Sequence, residues 1–243
     1  MVTHGKSSVT RVTERTVWRT ATVASVAHPS RSLAILRLEI PDRPAHLPGQ
    51  HYVVRLTAED GYTASRSYSV ASSPRVPTVE LAVEMLPDGE VSGYLTEVVT
   101  PGDELEVRGP IGGWFIWDAT TPAVGIGGGT GVVPLVCMLR YATEMGRADL
   151  LRLAVSARSL PYLPYADELA AAGALVAITR RPTVPPARPT GRLTAADLAP
   201  LMTEGATYFV CGSAVFAEAV TQLLVDLGVP AGAIKVERFG PSG

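Results

Sequence analysis

Arg66-Ser67-Tyr68-Ser69-Val70-Ala71-Ser72 is the stretch on which the reading of this chain turns. From Ser65 to Ala71 the residues read as a β-strand; if it is regular, Arg66 and Tyr68 share one face and Ser67 and Ser69 the other, and a bulge or a twisted rim would change that. The residue types suit a ligand that is both anionic and aromatic. Arg66 carries a fixed fork of donors that matches a phosphate. Tyr68 has a flat apolar face with a polar tip, and Ser69 is a short donor and acceptor. Taken alone, the heptapeptide also fits an ordinary half-buried strand with one Arg at its end.

On either side of it the chain is β-rich. Thr16 to Val26, Leu33 to Ile40, Tyr52 to Thr57, Ser65 to Ala71, Val79 to Met85 and Glu104 to Gly109 are short runs with β-branched or alternating apolar residues, separated by turn signals such as Pro48-Gly49, Asp60-Gly61 and Pro101-Gly102-Asp103. Six strands at this spacing predict a small antiparallel barrel, interrupted by one helical stretch from Ser92 to Val99. After Pro122 the rhythm changes. Strands at Ala123 to Ile126, Leu151 to Ser156, Leu175 to Thr179, Thr207 to Cys211 and Ile234 to Glu237 alternate with helices at Gly131 to Met145, Ala166 to Ala172, Thr194 to Met202 and Ala214 to Leu227. In the last helix Val215, Phe216, Ala219, Val220, Leu223, Leu224 and Leu227 make one apolar stripe. This pattern predicts a doubly wound parallel sheet. The expected organisation is a disordered leader (1–14), a barrel domain (15–118) and an α/β domain (119–243), with Pro182 to Pro189 a surface loop inside the latter.

Composition narrows the class. The chain has 243 residues, 47% hydrophobic and 18% charged, with a net charge of −2, so neither nucleic acid nor a polybasic membrane contact is indicated. Two cysteines, Cys137 and Cys211, cannot hold an iron–sulfur cluster, which takes four ligands, and lack zinc spacing, so no metal is expected. The uncharged run from Ala119 to Leu139 has the length of a membrane span, but five glycines and Pro134 interrupt it, and a transmembrane helix is rejected. With no signal peptide visible, the expected location is the cytoplasm.

About sixty residues after the first motif comes Gly127-Gly128-Gly129-Thr130-Gly131, followed by Pro134. A glycine-rich strand-to-helix turn of this kind lets backbone approach a ligand closely. Together the two motifs, in this order, resemble the ferredoxin–NADP reductase superfamily, whose flavin signature reads Arg-x-Tyr-Ser and whose pyridine-nucleotide loop reads Gly-Gly-Thr-Gly. The resemblance covers about residues 16 to 239 and implies an FAD-binding barrel followed by an NAD(P)-binding domain. It carries Arg66, Ser67, Tyr68, Ser69, Val70 and Ser72 over as flavin-binding positions. Val91 and Ser92 fall where the family sets a serine at a helix N-terminus against the flavin phosphates; Ser92 read alone is an N-cap. Two phosphate anchors favour FAD over FMN. Gly128, Gly129, Thr130 and Gly131 fall at the nicotinamide loop, and Cys211-Gly212 at a strand end beside the nicotinamide, where Ser213 departs from the family's usual proline. Glu237-Arg238-Phe239 resembles the family's terminal Glu-x-aromatic, with Phe239 over the flavin. In relatives the aromatic is often the last residue, whereas here Gly240-Pro241-Ser242-Gly243 follows, similar to a linker to a ferredoxin domain.

By that resemblance Ser69, Thr130, Cys211 and Glu237 surround hydride transfer. Arg158, Arg180 and Arg192, each just after a strand or turn, fall where NADPH-using relatives carry arginines for the 2′-phosphate, which places NADPH ahead of NADH. The implied function is an FAD-dependent NAD(P)H reductase passing electrons to a separate one-electron acceptor, such as a ferredoxin or an oxygenase or molybdenum-enzyme component. A free-flavin reductase and a non-turnover electron-transfer subunit of a larger complex stay open as alternatives.

Overall fold

The structure is a computed structural model and describes residues 17–180 and 189–239. The expected leader, all but the last residue of the Pro182 to Pro189 loop, and the tail after Phe239 lie outside the described residues.

The first half forms six strands: β1 (Trp18–Ser30), β2 (Leu33–Glu39), β3 (His51–Thr57), β4 (Thr63–Ser69), β5 (Val79–Glu84) and β6 (Glu104–Ile111). Their order in the sheet is β4-β3-β6-β1-β2-β5, and every ladder is antiparallel. The alternation seen in the sequence has its cause here: Leu36 and Leu38 of β2 point into the core while Arg37 and Glu39 face water. Val23, Leu36, Tyr52, Val54, Leu81, Val83 and Val107 pack around one centre, which Leu95 of helix α1 (Glu90–Glu97) completes. The sheet curls without closing its ladder. β4 and β5 are its two edges, and the isolated bridge Val70–Leu81 is the backbone pairing that joins their ends. β1 runs four residues beyond the expected Val26, because register shifts between Val23 and Ser25 and between Ala27 and Ser30 let it stay paired with β2 as far as Leu33.

The second half is a five-stranded sheet of β7 (Ala123–Gly128), β8 (Leu151–Ala157), β9 (Leu175–Ile178), β10 (Thr207–Ser213) and β11 (Ile234–Phe239), in the order β11-β10-β7-β8-β9. All four ladders are parallel. Helices α2 (Val133–Glu144) and α3 (Ala166–Ala171) cover one face; α4 (Ala195–Leu198) and α5 (Ala214–Asp226) cover the other. The stripe expected on α5 is narrower than the sequence suggested: Ala217, Val220 and Leu224 are buried, while Val215 is 67% exposed. The expected helix from Thr194 to Met202 divides in two. Thr194 caps α4 in a reciprocal capping box with Asp197, and Pro200 then sits in a 3₁₀ turn from Ala199 to Leu201.

After β6 the chain crosses between the sheets. Phe115 meets Phe209 of β10 edge-to-face, with centroids 5.1 Å apart, and Phe115 and Trp117 are buried in the same core as α2. No helix among the described residues is long and apolar enough to cross a membrane.

Candidate functional site

The first cluster of candidate residues lies on the free edge of the barrel. β4 pairs with β3 from Thr63 to Ser69 without a register shift, so the alternation is regular. Arg66 and Tyr68 stand opposite Val54 and Tyr52 on one face, and Ser67 and Ser69 on the other. Arg66 is exposed; its Nη1 donates to the carbonyl of Ser65 at 2.8 Å, and among the described residues no carboxylate pairs with it. Tyr68 packs its ring against the barrel core, yet its buried hydroxyl has no hydrogen-bond partner among the described residues. Burial pushes that hydroxyl's pKa upward, so it stays a neutral donor. A buried hydroxyl without a partner costs about 1–3 kcal/mol, and an open strand edge carrying one beside an unpaired Arg fits an aromatic, anionic ligand.

Helix α1 approaches the same edge. The Tyr62 hydroxyl, one residue before β4, donates to Glu90 in the first turn of α1 at 3.1 Å. The position of Ser92 differs from the N-cap expected for it. Gly89 is the N-cap, and Ser92 sits in the first turn, where its hydroxyl donates to the Gly89 carbonyl and accepts from the Leu86 N–H, both at 3.2 Å. Ser92 therefore ties the turn that precedes the helix. Other flavin-motif side chains are also held by the protein. Val70 and Val91 are in the barrel core, and the Ser72 hydroxyl accepts from the Glu80 N–H at 3.0 Å. A cleft of about 540 Å³ lies beside this turn, lined by Asp88, Glu90 and Glu97 among others; its carboxylates repel phosphate, so the β4 edge is the better anion site.

The second cluster lies where the parallel sheet reverses its order, between β7 and β10. Open α/β sheets bind ligands outside the carboxyl ends of their strands at such a point. Gly127 pairs with Cys211 across this junction. Gly131 has no room for a side chain: a Cβ there would lie 2.2 Å from the Cys211 carbonyl oxygen. Cβ atoms at Gly128 and Gly212 would each strike the Phe216 ring, at 2.8 and 2.7 Å. These three glycines thus let protein pack on protein. Gly129, with φ +56° and open space where a Cβ would be, is the loop position that faces outward. Thr130 donates to Glu84 of β5 at 3.3 Å. Glu84, which sequence reasoning did not single out, thereby anchors this loop to the barrel.

On the far side of the junction Cys211 pairs with Glu237, and Ser213 with Phe239. Burial raises the thiol of Cys211 well above its ordinary pKa, and the Glu237 carboxylate adds to the rise, so Cys211 stays a neutral thiol. Glu237 is pushed up to about 7 by burial, and among the described residues nothing donates a hydrogen bond to it. Phe239 packs against the core that faces α2 and the inter-sheet crossing. The three arginines are brought to the carboxyl ends of β8 and β9: the Arg180 N–H donates to the Arg158 carbonyl at 3.0 Å, and the Gly191 N–H donates to the Ile178 carbonyl at 2.9 Å, which delivers Arg192 to the same rim.

Known proteins share the sequence pattern and the fold. Residues 11–116 match the oxidoreductase FAD-binding domain family. Over 233 residues the chain is 28% identical to the reductase component, a ferredoxin–NAD(P)(+) reductase, of the naphthalene 1,2-dioxygenase/salicylate 5-hydroxylase systems of a Ralstonia species, covering 91% of this chain and 69% of that one. Over 114 residues it is 39% identical to the glycine betaine monooxygenase reductase subunit of Chromohalobacter salexigens, covering 46% of this chain and 31% of that one. Among solved structures, the flavohem-like FAD/NAD-binding domain of nitric oxide dioxygenase from Vibrio cholerae O1 biovar El Tor superposes with a TM-score of 0.79 at 25% identity, covering 92% of this chain and 99% of that domain. A ferredoxin NADP+ reductase from Neisseria gonorrhoeae with bound FAD and NADP shares the fold, with a TM-score of 0.76 at 19% identity over 91% of this chain and 98% of that one. The barrel thus carries an oxidoreductase FAD-binding domain, and the chain as a whole shares the two-domain fold of the ferredoxin–NADP reductase type.

Proposed function

We propose that this chain is the reductase of an oxygenase-type system, taking electrons from NADPH in preference to NADH and passing them through FAD to a separate one-electron acceptor protein of the ferredoxin or oxygenase-component kind. The work divides between residues 15–118, which hold FAD, and 119–243, which hold the coenzyme. The observation that carries the reading is the pairing of two incomplete edges: β4 with its partnerless Tyr68 hydroxyl, and the switch-point loop at Gly129 with open space beside it. When bound, FAD supplies the step from hydride to single electrons that no side chain can perform.

The protein's part is binding and electrostatics. Arg66 neutralises phosphate at the β4 edge, and the amides of α1 are a weaker second anchor because Asp88 and Glu90 lie beside them. Tyr68 covers the ring system and gives its hydroxyl a partner; Ser67, Ser69, Val70 and Ser72 shape the strand that the ring lies along. Val91 and Ser92 hold the α1 turn in place. Gly128, Gly129, Thr130, Gly131 and Gly212 form the floor under the nicotinamide, Cys211 stands beside it as an uncharged thiol, and Glu237 holds a proton close to neutral pH. Phe239 covers the exposed ring face. Arg158, Arg180 and Arg192 make the rim for a 2′-phosphate. Both cysteines are buried free thiols, consistent with a reducing cytoplasm.

Anaerobic titration of the flavin-loaded protein with NADPH and NADH tests this. Stoichiometric bleaching of the bound flavin, faster with NADPH, is expected. Arg158→Ala with Arg180→Ala should raise the Michaelis constant for NADPH about tenfold, the loss of charge-assisted hydrogen bonds, and leave that for NADH nearly unchanged. Equal effects on both coenzymes would remove the 2′-phosphate assignment, and a protein that binds flavin only as a passing substrate would favour the free-flavin reductase.

A further inference from the structure

The two incomplete edges belong to different sheets, so something must set the distance between them. α2 does so with three side chains in succession. It begins at Val133, directly after the Gly129–Val132 turn, and runs along the segment that follows β4. Arg140 donates to the Ala71 carbonyl at 3.1 Å, Cys137 donates to the Ser72 carbonyl at 3.0 Å, and Glu144 accepts from the Ser73 hydroxyl.

Arg140 is the most heavily engaged of the three. Its Nη1 also donates to Glu80 Oε1 at 2.7 Å, and its Nε and Nη2 reach the two oxygens of Glu168, each at 2.8 Å. Glu80 belongs to β5, and its side chain is 5% exposed. Its other oxygen accepts from Arg37 at 2.9 Å, and the Tyr165 hydroxyl donates to Oε1 at 2.9 Å. The guanidinium lies 4.8 Å from the centroid of the Tyr165 ring. Tyr165 adopts a left-handed backbone, φ +59°, a conformation that costs a bulky side chain about 1–2 kcal/mol; the hydroxyl contact with Glu80 compensates for it. One guanidinium thus binds the barrel at β5 and Ala71, and helix α3 of the second half at Glu168 and its N-cap Tyr165.

We infer that Arg140 is a positioning residue for the proposed hydride transfer: through Glu80, Ala71, Glu168 and Tyr165 it sets the separation and tilt of the flavin strand against the nicotinamide loop. The inference rests on the function proposed above. Lysine at this position keeps the charge but cannot make the four hydrogen bonds of the planar fork.

The test compares the flavin-loaded full-length protein with its Arg140→Lys and Tyr165→Phe variants. Single-turnover flavin reduction by NADPH should slow about tenfold or more in Arg140→Lys, the scale of a small misplacement of reacting groups, and less in Tyr165→Phe. The coenzyme dissociation constant and flavin content should stay at the wild-type level. Hydrogen exchange should quicken at residues 71–73 and 128–132 while the rest of both sheets keeps its protection. An unchanged reduction rate with a lowered melting temperature, or exchange that rises evenly over the molecule, would overturn the assignment. Should Arg140→Lys fail to fold, Tyr165→Phe carries the same two readouts, and the same results support or overturn the inference. A wild-type protein whose bound flavin neither coenzyme reduces would sink the proposed function instead, and the exchange pattern would still decide whether Arg140 ties these segments together.

Discussion

The β4 edge and the seam between the two sheets are built from similar residue types and differ in how fully they are paired. At the seam Glu80 accepts from Arg37, Arg140 and Tyr165, and burial, which would raise its pKa, is outweighed by those donors, so its carboxyl lies below the usual range. At the edge, among the described residues, Tyr68 has a buried hydroxyl without a partner and Arg66 has no carboxylate. Buried polar groups are mostly satisfied within the fold; among the described residues the Tyr68 hydroxyl shares its lack of a partner with Ser30, Tyr52 and Arg108, and what sets the edge apart is the exposed, carboxylate-free Arg66 beside it. Under the proposed function the seam is structure and the edge is binding surface, although a short motif search would see an Arg and a Tyr in both.

That contrast is most exposed to refutation at Arg66. Replacing it with alanine should weaken FAD binding ten- to a hundredfold, the equivalent of about 1.5–3 kcal/mol for hydrogen bonds to a charged group, and leave the melting temperature of the flavin-free protein unchanged. Flavin content after gel filtration reads the first effect. Full retention of flavin would mean that the phosphate lies elsewhere.

The fold was legible because it is written in local patterns. β2 alternates buried and exposed residues, and the glycine-rich loop follows an apolar strand. The candidate site was legible in its motifs and not in its packing. Arg66, Tyr68 and the loop glycines sit in contiguous motifs, but the reasons for the glycines did not follow from them: Gly131 is small because the Cys211 carbonyl lies against it, a contact across eighty positions of chain. The seam left no trace of its kind. Glu80 falls inside the run Val79–Glu84, where a charged residue reads as solvent-facing, and it is 4% exposed. Its partners Arg140 and Tyr165 are 60 and 85 residues away. No periodicity encodes pairs so distant, and without them α2 reads only as a buried helix.

Glu237 sharpens the contrast on the nucleotide side, because it is a half-buried carboxyl with no donor among the described residues. Burial raises it from 4.5 to about 7. Below pH 4.5 it is protonated in both folded and unfolded chains and has no effect. As pH rises from about 4.5 to about 7 the folded protein holds a proton that the unfolded chain has released, so stability falls across that window. Glu237→Gln, a neutral isostere, should melt a few degrees higher than wild type at pH 8 and at the same temperature at pH 4. A pH-independent difference would mean that the carboxyl is paired and does not belong with the unsaturated edge.

The smallest effect is the most direct comparison, because Tyr68 and Tyr165 are both half-buried with hydroxyls that burial keeps neutral and, among the described residues, differ in having a partner. Tyr165→Phe removes a donor from Glu80 and should destabilise the flavin-free protein by about 1 kcal/mol. Tyr68→Phe removes a hydroxyl that nothing satisfies, so the flavin-free protein should be as stable as wild type or slightly more so. With FAD the order reverses: Tyr68→Phe should lose about 1 kcal/mol of binding, read as a roughly fivefold weaker dissociation constant, while Tyr165→Phe binds flavin as wild type does. Urea unfolding of both variants with and without FAD measures all four quantities. If Tyr68→Phe destabilised the flavin-free protein as much as Tyr165→Phe does, its hydroxyl would have a partner in the fold, and β4 would be an ordinary edge strand rather than half of a binding site.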